Sequence, residues 1–96
     1  MKHRFNLKAK QDFQDACQFY VQQKPGLGHE FAMEVGLAIA AIAEAPNRWP
    51  LIAEGIHKYR LDRFPYGILY RVFSGQLFEI VAVFDLRAEP GSWRRT

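Results

Sequence analysis

The chain has 96 residues, 49% apolar and 24% charged, a balance that fits one globular domain and leaves no room for a second core. Its net charge of +3 is too small to argue nucleic-acid binding by itself. No apolar run approaches the ~18 residues of a membrane span, and the single cysteine excludes an internal disulfide or a cysteine-built zinc site.

The first residues, Met1 to Arg4, lead into a polar segment, so no secretory leader is expected and a reducing cytoplasm is the expected compartment. His3 to Leu7 alternates weakly and can open as a strand. From Lys8 the period changes. Phe13, Ala16, Cys17 and Tyr20 recur at helical spacing and predict an amphipathic helix over 8–23. Lys24-Pro25-Gly26 stops it. A second helix is predicted over 27–45, with Phe31, Val35, Ile39 and Ile42 as its apolar stripe. Gly36 within it is expected to mark a close approach of the two helices. Pro46 ends this helix, and Asn47-Arg48-Trp49-Pro50 reads as a turn.

After Ile56 the pattern has period two. Tyr59 and Leu61 alternate with Lys58, Arg60 and Asp62. Ile68, Tyr70 and Val72 alternate with Leu69, Arg71 and Phe73. Phe64 to Gly67 separates the first two runs as a hairpin connection would, and Ser74-Gly75 is a turn signal before the apolar run Leu77–Phe84. The chain then becomes polar, with Pro90-Gly91 and a basic end. The fold class expected is α+β in the order β-α-α-β-β-β: an N-terminal helical hairpin packed on a small, mainly antiparallel sheet over one domain, 1–96. One sheet face is left partly bare, a natural docking surface that could also pair two copies of the chain.

The usual catalytic signatures are missing. There is no phosphate-cradling glycine loop. His3, His29 and His57 fall on three different elements without metal spacing, and no cofactor or metal is expected. Cys17 lies on an apolar helix face with no basic neighbour to activate it. The dense candidate is basic and aromatic. Lys58 and Arg60, two apart, share one strand face; Arg63 follows at the turn, Arg87 comes after the last strand, and Trp93 lies further on. From Lys58 to Arg71 the only acidic residue is Asp62. Such a set can hold phosphates and stabilise charge in a phosphoryl-transfer transition state. The same residues also read as a solvated strand face with ion pairs to Asp62, Glu79 or Asp85.

Arg60, the run Phe64-Pro65-Tyr66-Gly67-Ile68-Leu69-Tyr70-Arg71-Val72, the strand Ile80–Phe84 and the block Arg87 to Trp93 together resemble the RelE/ParE superfamily. These are toxins of bacterial type II toxin–antitoxin modules, also called plasmid stabilisation proteins. The resemblance spans nearly the whole chain, and its specific part is Arg60 to Trp93. It implies a sheet packed on a helical hairpin, a growth-inhibiting toxin and a cognate antitoxin as partner. RelE-like members cleave mRNA on the ribosome, and ParE-like members poison DNA gyrase. The nuclease pattern falls on Lys58, Arg60 and Arg87. Gly67 stands where that pattern has an arginine beside the Tyr66 position, and Trp93 where it has a tyrosine. Indole cannot exchange a proton as a phenol does. Asp85 replaces a histidine common just after the last strand. The resemblance thus implies first a toxin that binds a large target, with Arg63, Tyr66, Arg71 and Trp93 as target- or antitoxin-binding residues. The alternative is a ribosome-dependent endoribonuclease using Lys58, Arg60 and Arg87.

Overall fold

The computed structural model describes residues 1–88. Its elements are β1 (Lys2–Phe5), α1 (Leu7–Gln23), α2 (Leu27–Glu44), β2 (Leu51–Ala53), β3 (Ile56–Arg60), β4 (Tyr66–Ser74) and β5 (Leu77–Asp85). Asn6 starts α1: its side-chain oxygen accepts the Ala9 N–H at 2.7 Å, which satisfies one of the helix's orphan donors. Gly26, at φ +84°, turns the chain between the helices, in a left-handed conformation that glycine adopts without a Cβ penalty.

The strands form one sheet in the order β1-β5-β4-β3-β2. β1 runs parallel to β5, and the other pairings are antiparallel. The architecture is the expected α+β one, with an added strand. β2 emerges from the end of the predicted Trp49-Pro50 turn and pairs with β3. Three residues show too little alternation to declare a strand. The β4–β5 turn is Gly75-Gln76 rather than Ser74-Gly75, because Ser74 still pairs with Leu77 and its hydroxyl accepts the Gln76 N–H. Among the described residues no helix is long and apolar enough to cross a membrane.

Both helices cover one sheet face. Phe31, Val35, Ala38 and Ile42 of α2 and Ala9, Ala16 and Tyr20 of α1 bury against Ile68, Tyr70, Phe78, Ile80 and Val83. Phe31 is the hub of this core, with its ring 5.1 Å from that of Phe64 and 5.2 Å from those of Tyr20 and Tyr66. Among the described residues the opposite face carries a small cluster: Ile56, Leu69 and Ala82, edged by Ala53, Val81 and Phe84.

The close approach of the helices lies at Gly28, not at Gly36. A Cβ at Gly28 would strike Val21 Cγ2 and come within 3.0 Å of the Cys17 carbonyl. At Gly36, which is exposed, it would meet nothing. Gly36 lies on the outer surface of α2, where its three-residue offset from Met33 places it among side chains that face solvent. Cys17 is half-buried, and burial pushes its thiol up.

Candidate functional site

The site begins with the alternation of β3. Tyr59 packs into the helix-covered core, while Ile56 belongs to the cluster on the opposite face. Lys58 and Arg60 therefore project from the open face. Lys58 Nζ lies 5.8 Å from the centre of the Phe84 ring. Among the described residues neither Lys58 nor Arg60 makes an ion pair. Together with Trp49, Pro50 and Ile52 they line a cleft of about 350 Å³ at the β2 end of the sheet. Arg60 also borders a second cleft of about 460 Å³, whose far wall includes Leu86 and Arg87. Arg60 thus joins two hollows, one holding Lys58 and the other Arg87.

Arg87, unlike Lys58 and Arg60, is paired with a carboxylate among the described residues. Its Nε donates to Asp85 Oδ1 at 2.9 Å, its Nη2 to Oδ2 at 2.8 Å, and its backbone N–H to Oδ1 at 2.8 Å. This two-pronged contact occupies two of the five guanidinium N–H donors. The Arg87 hydrogen bond holds the Asp85 carboxyl below its ordinary range, against an opposing effect of burial. Asp85, a departure from the family pattern, neutralises the cation two residues beyond it.

The other expected binding residues are dispersed. Arg63 pairs with Glu30 at 2.8 Å and lies over Phe64. Beside it, the Glu34 carboxylate accepts the backbone N–H groups of Asp62 and Arg63 at 2.7 and 3.2 Å. Glu30 and Glu34, one helical turn apart on α2, thus clamp the β3–β4 connection. Their i, i+4 spacing was the available sequence signal, but nothing in a single sequence says which loop they meet. Arg71 is exposed on the open face opposite Glu79, which pairs instead with Arg4 at 3.0 Å. Tyr66 is half-buried between Tyr20 and Phe31, and burial, then Asp85, pushes its phenol up. It stays protonated at neutral pH. Trp93 lies outside the described residues.

Gly67 faces Arg60 across the β3–β4 pair and Phe84 across the β4–β5 pair. A Cβ there would come within 3.0 Å of Phe84 Cε1 and 3.2 Å of Leu86 Cδ2. A side chain at this position would need the ends of Phe84 and Leu86 to shift by a few tenths of an ångström.

One buried polar group was not singled out in the sequence. His57 stacks on Tyr70 with ring centres 4.9 Å apart, and its Nδ1 lies 2.7 Å from the Trp49 carbonyl. A carbonyl only accepts, so Nδ1 carries the proton. This bond and the Tyr70 hydroxyl, which donates to the Pro46 carbonyl, pin the α2–β2 connection to the sheet. They hold Trp49 and Pro50 as a wall of the Lys58–Arg60 cleft.

Residues 4–89 match the family model described as the ParE toxin of type II toxin–antitoxin systems, parDE. Among solved structures the chain is similar to one titled as a chromosomal ParDE TA system from P. aeruginosa. The identity is 19%, the TM-score is 0.75, and the match covers 88% of this chain and 95% of that one. A comparison with curated proteins returned no significant match.

Proposed function

The chain belongs to the family of ParE toxins of type II toxin–antitoxin systems, and on that premise we propose that it inhibits growth by binding a large cytoplasmic target, DNA gyrase, until a cognate antitoxin neutralises it. The observation that carries the choice of binding over cleavage is the state of the phosphate-gripping positions. Arg87 is paired with Asp85, and Gly67 supplies no cation where the nuclease pattern has an arginine. Lys58 and Arg60 supply positive charge, and the sequence puts Trp93 where the nuclease pattern has its tyrosine, so the phenol of that pattern is absent. A docking role asks less of them: electrostatic complementarity to a target and a register on its surface.

Expression of the chain in a bacterial host, alone and with the neighbouring antitoxin gene, tests the toxin reading. Growth should stop in the first case and recover in the second. Normal growth with verified soluble protein refutes it. Purified protein should inhibit gyrase supercoiling and leave ribosome-bound mRNA uncut. The opposite pair of results would replace binding by the nuclease reading, for which Lys58 and Arg60, unpaired among the described residues, are the supporting feature.

A further inference from the structure

We propose that the chain forms a weak homodimer through the solvent face of α2, which packs antiparallel against the same helix of a second copy. The sequence of the helix is the first observation. From Phe31 to Ala43 the only polar side chain is Glu34. A helix on the surface of a small domain ordinarily carries polar residues opposite its core stripe. α1 does so, with Lys10, Gln11, Gln14, Asp15 and Gln18 exposed. α2 does not. It buries Phe31, Val35, Ala38 and Ile42, and Glu34 is occupied at the β3–β4 connection. Its outward face is left with His29, Met33, Gly36, Leu37, Ala40 and Glu44, all exposed. Met33 is 55% and Leu37 69% exposed. An apolar helix face of this kind marks a surface that another molecule covers.

The spacing selects a second copy as that molecule. Identical helices packed antiparallel across a two-fold axis present the same face to each other in reversed order. With the axis between Gly36 and Leu37, Leu37 of each copy lies over Gly36 of the other, Met33 over Ala40, and His29 opposite Glu44. Each large side chain meets a small one, as close helix packing requires. A Cβ at Gly36 would meet nothing, so the space above it is open to Leu37 of the second copy. At both ends an imidazole N–H donor faces a carboxylate that makes no ion pair among the described residues. Parallel packing would instead set Glu44 against Glu44. The antiparallel pair also gives a use to a mid-helix glycine, which is destabilising in itself and which α1 does not approach.

The bare sheet face suits a second copy less well. A two-fold contact there would bring together Lys58 and Arg60 of both copies, cations without a carboxylate partner among the described residues. The α2 patch is one helix face about 22 Å long. Such a contact buries less than the roughly 1,000 Å² of a stable interface, which puts its Kd on the order of 100 µM. At the few-micromolar concentrations of a thermal melt the chain is therefore a monomer. The inference rests on neither the gyrase nor the nuclease reading.

Sedimentation equilibrium of the full chain from about 10 µM to about 1 mM measures the dimer. The average mass should rise toward that of two chains. Leu37→Lys should raise the Kd about tenfold or more, because the two-fold axis counts each substitution twice, and should leave the circular dichroism of the monomer unchanged. His29→Glu sets two carboxylates against each other, and Glu44→Lys removes the acceptor; each should weaken the dimer about threefold. Combined, the two rebuild the pair with its charges exchanged and should restore the Kd to within about twofold of the unaltered chain. Proton NMR needs no variant to fold: the Met33 methyl signal should shift with concentration, and that of Met1, beside β1, should not. Four outcomes overturn the proposal: a monomer at about 1 mM, a dimer unweakened by Leu37→Lys, a double variant no tighter than the two single ones, or a Met33 methyl signal independent of concentration.

Discussion

Gly28 and Gly36 are chemically identical substitution sites on one helix, and alanine should move stability in opposite directions at the two. Gly36 is mid-helix and exposed, and an added Cβ there touches nothing. Gly36→Ala should gain the ordinary glycine-to-alanine difference of about 0.8–1 kcal/mol. For a domain of this size that is a rise of about 4–8 °C in Tm. At Gly28 the new methyl meets Val21 Cγ2, the Cys17 carbonyl oxygen at 3.0 Å and the Val21 nitrogen at 3.2 Å. The Val21 side chain is exposed and can rotate away, but the two backbone atoms cannot. The helices must separate by a few tenths of an ångström, at the 1–3 kcal/mol typical of overpacking. Gly28 is the second residue of α2, where fraying limits the propensity gain, so the net effect should be a loss of about 1–2 kcal/mol. Paired thermal and urea melts of the two single variants measure this, with m-values checked for a common unfolded state. If Gly28→Ala stabilises as much as Gly36→Ala, the α1–α2 contact is looser than the structure has it and the argument fails.

Tyr70→Phe deletes the hydroxyl that donates to the Pro46 carbonyl and should cost about 1 kcal/mol; an unchanged urea midpoint would refute a structural role for that bond. Burial pushes the Tyr70 phenol up to about 12, so the folded state holds this proton more tightly than the unfolded one. The stability it contributes is complete below the ordinary phenol value near 10 and should fall as pH rises from there to about 12, a decline that Tyr70→Phe should reduce. Asp85 has the reverse sign. Its carboxyl is lowered by Arg87, so its contribution is present above the ordinary carboxyl range and is lost as pH falls through its lowered value; acid titrations followed by circular dichroism should show a shallower acid limb in Asp85→Asn. Lys58→Ala with Arg60→Ala should leave stability within about 0.5 kcal/mol per site while weakening growth inhibition. A folded double variant with full toxicity would place the active surface elsewhere.

The helical half and the strand half could be read in sequence because each is a repeated local pattern. Phe31, Val35 and Ile42 mark one stripe of α2, and all three are buried. The β3 alternation alone puts Lys58 and Arg60 on one face, since a period of two follows from backbone geometry. The family-bearing run from Arg60 through Val72 likewise needed only linear order. β2 could not be read, because three residues carry no period and the strand exists only by pairing with β3. Nor could the helix contact be assigned to Gly28 rather than Gly36, since both positions permit close approach and only the crossing of α1 and α2 selects one. The charges divide in the same way. The sequence shows four cations between Lys58 and Arg71, but which of them keeps its charge available depends on carboxylates remote in the chain. Glu30 reaches Arg63 from α2, while Lys58 and Arg60 face a surface on which the described residues place no partner. Composition and period determine what each segment can become. The pairing of distant groups decides which charges are spent inside the fold and which remain for another molecule.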